Sequence, residues 1–406
     1  MSGNATELLD FVARWVHVIA SIMWVGNSLL FNWLDRNLIS APSKASSDPS
    51  VRSGQVWLLH SGGFYFVEKT LLAGEQVPDP LHWFKWQAYT TWLSGLALLV
   101  VVYWLGGRAV MADPSVALLS HGRAVSIGVA SVFGGWALYE AMNRFVAPKA
   151  PTVSAMIWIA GLIVISYGLT HLLHGRAAFL HVGAMMGTIM AGNVFFTIVP
   201  SQRGLVASVE QGQSGARLAE LSARAKRVSI HNNYFTFPVI ALMVSNHFPS
   251  IYGHRFGWAM LLILIAGGAA VRHVLNLRFT WPIWQPALAI AIVATVLPLW
   301  GIIEFGGNSQ ITPNVSDHSD VPFAQARHVI DRRCAACHST TPTDLTFGPA
   351  PAGVAFDTPD QIVAHANRIN QRAVLARTMP PANKTNITDA ERALLGRWIA
   401  QGAIGR

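Results

Sequence analysis

Charged residues are scarce in this sequence, and cysteine is almost absent. Only 12% of the 406 residues are charged and 52% are hydrophobic, whereas soluble domains carry roughly 25% charged residues. This shortage excludes an ordinary soluble protein, and we expect most of the chain to lie in a lipid bilayer. The two cysteines provide no disulfide framework. Residues 1–10 lack the basic and then apolar pattern of a cleavable signal peptide.

Basic residues nevertheless outnumber acidic ones, and the net charge is +9. They fall in short loops between apolar runs rather than in patches with interleaved aromatic residues. Membrane topology explains that distribution better than nucleic-acid binding does. We therefore expect a lipid bilayer, and no nucleic acid, as a partner.

Eight segments are long and apolar enough to cross a membrane, for which about 20 residues are needed. They lie near 9–31, 88–106, 123–145, 153–173, 177–199, 232–248, 257–278 and 283–304. The predicted fold class is therefore all-α. We expect an eight-helix transmembrane bundle in residues 1–305, a linker at 306–320 and a small α-helical domain at 321–406.

Both cysteines belong to one motif, Cys334-Ala335-Ala336-Cys337-His338, which reads C-x-x-C-H. This is the attachment signal of a c-type haem, because two thiols on one helical turn can each add to a haem vinyl group and the histidine then ligates the iron. One alternative is a redox dithiol, which needs no histidine. The other is half of a zinc site, which needs a second ligand pair at matching spacing, and the sequence offers none. We expect one covalent haem c.

Residues 321–406 have about the size of a small cytochrome c. Met379 is the only methionine among them and precedes two prolines, so it is the candidate second axial ligand beside His338. Thr388 and Glu391 fit a capping box that opens a final helix. In cytochromes c such a terminal helix packs against the first helix of the domain.

Two independent arguments place both ends of the chain outside the cytoplasm. Haem c is attached in an extracytoplasmic compartment, and an even number of spans puts the amino end on the same side. Among the loops that connect the predicted spans, those after the first, third and fifth spans hold most of the basic residues, as cytoplasmic loops do.

Histidines inside the predicted spans are functional candidates, because ionisable residues are costly in lipid. Three of them lie toward the outside and could ligate a second haem, of b type: His17, His181 and His247. His231 and His273 lie toward the cytoplasm, where Asn232 adds an amide suited to a polar heterocycle. Each histidine could instead bridge helices or lie at the interface, and the sequence alone gives no pairing.

The loop at about 32–87 is too long and too aromatic for a simple connection. It either lies on the membrane surface, with its aromatic rings at the headgroup level, or packs back against the bundle and lines a site. His60 and Lys69 are its candidate site residues.

Five segments form a set that is more specific than the haem motif alone: residues 15–26, 60–65, 83–86, 175–183 and 231–234. Together they resemble the membrane-bound cytochrome c urate oxidase family, over nearly the whole chain. That family combines an eight-span amino-terminal domain with a carboxyl-terminal cytochrome c. The resemblance implies oxidation of urate to 5-hydroxyisourate in purine catabolism, with electrons passed to cytochrome c rather than to oxygen.

The resemblance also implies the cofactor site and the cellular location. Cys334 and Cys337 would hold haem c, with His338 and Met379 as its axial ligands. We expect a multi-pass protein of the bacterial inner membrane, with its cytochrome domain in the periplasm. A soluble cytochrome c or a terminal oxidase would accept the electrons.

For the membrane domain the site residues come from our own reading of the sequence. We expect urate to bind toward the cytoplasm among five residues: His60, Lys69, His231, Asn232 and His273. Electrons would then cross to haem c by way of the outer histidines. The alternative function is a haem-c-linked membrane electron-transfer or quinol-oxidising respiratory subunit without urate chemistry.

Overall fold

The computed structural model of the protein describes residues 3–39, 54–69, 77–106, 108–114, 116–213, 215–306, 320–344, 350–375 and 377–405. Helices dominate this part of the chain, and one two-stranded hairpin is the only sheet found in it. The predicted all-α class is therefore confirmed. The predicted linker, 306–320, falls almost entirely outside the described residues.

Eleven α-helices form the described portion of the N-terminal domain. They are α1 (Gly3–Asn37), α2 (Trp86–Leu98), α3 (Arg108–Met111), α4 (His121–Ala141), α5 (Pro151–Leu172), α6 (Gly175–Asn193), α7 (Val199–Glu210), α8 (Ala216–Ser245), α9 (Pro249–Tyr252), α10 (Gly257–Leu277) and α11 (Trp284–Phe305). Short π-helical segments prolong α2 to Trp104, α4 to Val146 and α6 to Ile198. Each of the eight predicted spans coincides with one of these helices, and α3, α7 and α9 are additional.

Six helical stretches in the described residues are long and apolar enough to cross a membrane. The two predicted spans outside that set correspond to α2 and to the second half of α8. The first half of α8 is polar, with Arg217, Glu220 and Lys226 among its residues. α11 packs against α10 and buries none of its own residues. An apolar helix with this exposure suits a lipid environment.

α6 lies at the centre of the bundle. It packs against α2, α4, α5 and α8, and the side chains of Phe179, Met185 and Ile189 are fully buried. α8 approaches it closely at Gly183, where an added Cβ would lie 3.0 Å from Cε of Met243. Small residues at such contacts are typical of membrane helices, because they allow backbones to pack closely.

The aromatic loop contains a hairpin that the sequence reading did not predict. Strand β1 (Gly54–His60) pairs antiparallel with β2 (Gly63–Lys69). The turn residues Ser61 and Gly62 have φ values of 51° and 79°, the left-handed conformation of a tight hairpin turn. The rings of Trp57 and Phe64 are exposed. This exposure agrees with the surface interpretation of the loop rather than with a segment that lines a site.

The described part of residues 320–405 has a hydrophobic core of its own. Its α-helices are α12 (Phe323–Arg333), α13 (Pro359–Ala364), α14 (Ala366–Ile369) and α15 (Asp389–Ala400). α15 packs against α12, as expected, and buries Leu395 and Trp398. The Thr388 hydroxyl accepts the Glu391 N–H and the Glu391 carboxylate accepts the Thr388 N–H, which confirms the capping box.

This C-terminal domain contacts one end of the bundle. Its segment Asn370–Leu375 lies against α9, and Pro381–Asn383 lies against α3. Burial raises the pKa of Tyr252 on α9, while Arg372 of the C-terminal domain lowers it through its charge and a hydrogen bond. We call this end of the bundle, where α3 and α9 lie, the docking end.

Candidate functional site

Four consecutive residues of α8, at positions 231–234, each form a hydrogen bond to a side chain of another helix. Successive residues of an α-helix point about 100° apart. The four side chains therefore reach partners on three neighbouring helices, α4, α6 and α10. Because lipid offers no water to polar groups, such internal bonds stabilise the bundle.

The first polar cluster consists of Tyr139, Asn193, His231 and Asn232. The Tyr139 hydroxyl lies 2.6 Å from Nδ1 of His231. Nδ2 of Asn193 donates to that hydroxyl at 3.1 Å and to Oδ1 of Asn232 at 2.8 Å. The hydroxyl has only one proton, and the bond from Asn193 directs it toward His231. We assign Tyr139 as the donor to His231 on this basis, and the pair can transfer a proton.

The second polar cluster consists of Asn32, Asn233, Arg272 and Asn276. Oδ1 of Asn233 accepts from Nε of Arg272 at 3.0 Å and from Nδ2 of Asn276 at 2.8 Å. Nδ2 of Asn32 donates to Oδ1 of Asn276 at 2.7 Å. This cluster links α1, α8 and α10 near the end of the bundle opposite the docking end. It holds a buried guanidinium, since Arg272 is only 2% exposed.

The other predicted substrate residues lie elsewhere. His273 is exposed on α10, where its Nδ1 lies 2.7 Å from the hydroxyl of Tyr234. His60 ends β1 and is exposed, and Lys69 ends β2, where it forms an exposed salt bridge of 2.6 Å to Asp35. No hydrogen bond within the described residues joins these side chains to the first polar cluster. Of the five predicted residues, the structure brings together the two consecutive ones on α8.

The three histidines predicted to bind a second haem lie in different surroundings. His181 is fully buried, its Nδ1 lies 2.8 Å from the carbonyl of Ala177, and its Nε2 accepts a hydrogen bond of 3.1 Å from Nε1 of Trp104. Both ring nitrogens are therefore engaged, which does not fit an axial ligand. His247 is exposed just beyond the end of α8.

His17 fits axial ligation better. Its Nδ1 lies 2.9 Å from the carbonyl of Thr91 and 3.2 Å from Oγ of Ser94, and its Nε2 makes no hydrogen bond to a described residue. Metal-ligating histidines commonly donate one ring N–H in this way and bind with the other nitrogen. Ser94, which contacts His17, and Trp104, which contacts His181, are ten residues apart, or about 15 Å along a helix. His17 and His181 therefore lie at different depths and do not share one site.

Two hollows on the bundle are almost wholly apolar. One, of about 280 Å³, lies between α1 and α2 and includes Val16 and Thr90, the chain neighbours of His17 and Thr91. The other, also about 280 Å³, lies between α2, α4 and α6 and is lined mainly by rings: Trp92, Phe133, Trp136, Phe195 and Phe196. Neither offers the polar groups that a purine needs, whereas both suit a flat apolar ring system.

The C-x-x-C-H motif follows α12 directly, as the sequence predicts. Nδ1 of His338 lies 2.9 Å from the carbonyl of Val354, which leaves Nε2 to ligate a metal. Cys334 and Met379 both pack against the core of the domain. Two hydrogen bonds hold the backbone of Met379. Its N–H donates to the backbone carbonyl of Arg372, and its carbonyl accepts from the Arg392 guanidinium. These residues fit the covalent haem c.

The two alternatives for this motif fit less well. Burial raises the pKa of the Cys334 thiol to about 12 and also raises the pKa of Cys337. A reactive dithiol has a lowered thiol pKa instead. No group of three or more His, Cys, Asp or Glu side chains that could hold a metal ion occurs in the described residues, which disfavours a zinc site.

Residues 3–301 match the model of the family described as Urate oxidase N-terminal. The chain belongs to this family. No curated protein and no solved structure gives a significant match. The matched range spans the bundle up to the last turns of α11. Both polar clusters, His17 and His181 are therefore parts of the urate oxidase N-terminal domain, and the C-x-x-C-H motif lies beyond it.

Five residues of the polar clusters in this urate oxidase domain were missed from the sequence: Asn32, Tyr139, Asn193, Arg272 and Asn276. Arg272 carried a usable signal, because a charged residue interrupts the apolar span 257–278 and intramembrane charges are functional candidates. Tyr139 and Asn193 carried none. Their importance comes from the packing of α4 and α6 against α8, which periodicity does not specify.

We predict that Tyr139→Phe destabilises the urate oxidase domain by about 1–3 kcal/mol, because it leaves buried polar groups of Asn193 and His231 without a partner. Reversible unfolding in mixed micelles measures this change. Tyr167→Phe is the control, since Tyr167 is exposed on α5 and its hydroxyl bonds to no described residue. Equal stability of the two variants would show that the first polar cluster contributes nothing.

Proposed function

We propose that the protein oxidises urate to 5-hydroxyisourate in purine catabolism and delivers the electrons through a haem c in its C-terminal domain. The observation that carries this proposal is the presence of two parts on one chain. The N-terminal bundle belongs to the urate oxidase N-terminal family. The C-terminal domain contains the C-x-x-C-H motif and contacts the docking end of the bundle.

The reaction needs a base and an electron outlet. Urate and water give 5-hydroxyisourate, two protons and two electrons. A haem c held by Cys334, Cys337 and His338 would supply the outlet, because haem iron accepts one electron at a time. The protons must be taken up by side chains, and a group that titrates near neutrality, such as histidine, suits that task.

The first polar cluster can provide the base. His231 takes the Tyr139 proton at Nδ1 while the hydroxyl oxygen takes a proton from a urate N–H. Asn193 holds the hydroxyl and Asn232 in turn holds Asn193. Oδ1 of Asn193 is buried without a partner in the described residues, so it can accept a hydrogen bond from another urate N–H. We assign no step to His60, Lys69 or His273, which lie outside this cluster.

The substrate cluster and the haem motif belong to opposite halves of the molecule. His231 is fourteen residues from the end of α8 nearest the docking end, or about 21 Å along the helix. Electrons therefore need a carrier between them. His17 is the histidine whose surroundings fit a b-type haem at an intermediate position, and such a haem would pass one electron at a time.

The proposed location follows from the helices and the motif. We place the bundle in a bacterial inner membrane and the C-terminal domain in the periplasm, where haem c is attached. A soluble cytochrome c or a terminal oxidase would then take the electrons from the exposed domain.

A quinol-oxidising electron-transfer subunit is the second candidate function. The apolar hollow between α2, α4 and α6 favours it, because its rings suit a quinone head and its mouth reaches the lipid-facing Phe196, which is 56% exposed. In that case the bundle would supply electrons to haem c without any urate chemistry.

We predict that urate added to the oxidised protein without oxygen reduces the c-type haem band. His231→Ala should abolish this reduction while dithionite still reduces the haem, because only the proton acceptor is lost. Visible spectroscopy measures both. If urate leaves the band oxidised and a quinol reduces it, the protein is the electron-transfer subunit instead.

We also predict that Met379→Ala keeps the haem covalently attached but lowers its reduction potential, because a thioether ligand raises the potential of haem iron. Urate should then reduce the haem more slowly and less completely. Redox titration and stopped-flow reduction test this. Met156→Ala, on the exposed face of α5, is the matched control. An unchanged potential would show that Met379 is not a ligand.

A further inference from the structure

Arg272 is a buried cation that has no counter-ion among the described residues. The side chain is 2% exposed, and its Nη2 atom is buried and makes no hydrogen bond to any described residue. The salt bridges found in the described part of the chain do not involve it. Its only polar contact there is the bond from Nε to Asn233, and the ring of Phe237 lies 5.4 Å from the guanidinium. A buried charge is normally paired, so this arrangement calls for an anion.

The second polar cluster presents donors rather than acceptors to such an anion. Oδ1 of Asn233 is occupied by Arg272 and Asn276, and Oδ1 of Asn276 is occupied by Asn32. Nδ2 of Asn233 makes no hydrogen bond within the described residues. Nη2 of Arg272 and Nδ2 of Asn233 are therefore two N–H groups on neighbouring side chains that lack acceptors.

The chemistry of these donors defines the ligand class. A guanidinium is a planar fork that matches two adjacent acceptors of a flat anion. Phe237 lies one turn beyond Asn233 on α8 and adds a ring against which a flat heterocycle can pack. A deprotonated purine has all three features that this site requires: it is flat, it is negatively charged, and a ring nitrogen and a neighbouring carbonyl oxygen provide two adjacent acceptors.

The position of the cluster agrees with the substrate site. Arg272 lies fifteen residues from the start of α10, or about 22 Å from the docking end. Asn233 directly follows Asn232 of the first polar cluster, so the cation lies at the same depth of the bundle as the proposed base. We propose that Arg272, with Asn233, binds the negative charge of an anionic purine substrate. This inference rests on the proposed function, for which urate is that anion.

Equilibrium binding to the purified full-length protein tests the proposal. Urate and a neutral purine of similar size are titrated without oxygen against the wild type, Arg272→Gln and Arg272→Lys. Loss of a charged hydrogen-bond partner should raise the Kd for urate about tenfold or more in Arg272→Gln. Arg272→Lys should weaken binding less, because it keeps the charge but not the fork, and the Kd for the neutral purine should stay the same.

The control is Arg123→Gln. Arg123 is exposed in the first turn of α4, near the docking end and outside both polar clusters. The Arg123→Gln variant should bind urate like the wild type. If Arg272→Gln does not fold, the wild type still decides, because equal affinity for urate and the neutral purine overturns the proposal.

The outcomes separate this proposal from the proposed function. If the wild type oxidises urate and Arg272→Gln binds it within twofold of the wild type, the function stands and the role of Arg272 is wrong. If the wild type does not oxidise urate but binds it or another anionic purine in an Arg272-dependent way, the anion site stands and the oxidase activity is wrong. Binding of no anion overturns both.

Discussion

Hydrogen-bond satisfaction inside lipid is the constraint on which the rest of this structure depends. A membrane helix satisfies its own backbone, but its polar side chains must find partners on other helices. α8 carries four such side chains in a row, at positions 231–234, and each forms a bond to α4, α6 or α10. These bonds stabilise the bundle and at the same time hold the Tyr139–His231 pair and a buried guanidinium at the same depth.

The groups that this network leaves without partners are as informative as those it satisfies. Oδ1 of Asn193 and Nη2 of Arg272 are buried and unpartnered within the described residues. Buried polar atoms without partners are rare, and each one calls for an explanation. Both belong to clusters that contain residues of the same four-residue stretch of α8. A polar ligand at either cluster would satisfy the group left open there, an acceptor in the first polar cluster and a donor in the second.

The second feature of the molecule is the separation of the two polar clusters from the C-terminal domain. The C-terminal domain lies on α3 and α9 through Arg372 and the segment after Met379. The polar clusters lie about 20 Å or more from that end, as helix lengths show. In the proposed function, such a separation would let a soluble substrate react on one side of a membrane while electrons leave on the other.

The positions of the helices could be predicted because apolar length is a local property of the sequence. The capping box at Thr388 was predictable for the same reason. The hairpin at 54–69 was not, since its turn is Ser61-Gly62 rather than one of the stronger turn pairs. The partners of the histidines were not predictable either. A histidine can face any neighbouring helix. Only the packing of the helices determines that His231 bonds to Tyr139, His273 to Tyr234 and His181 to Trp104.

Sided addition of urate to proteoliposomes tests the account most directly. The protein is reconstituted with the C-terminal domain facing outward, and urate, an anion that does not cross the bilayer unaided, is supplied either inside or outside. The account predicts that urate trapped inside reduces the haem c and that urate added outside does not. Reduction by outside urate alone would contradict it, because the substrate would then bind at the docking end without crossing the bundle.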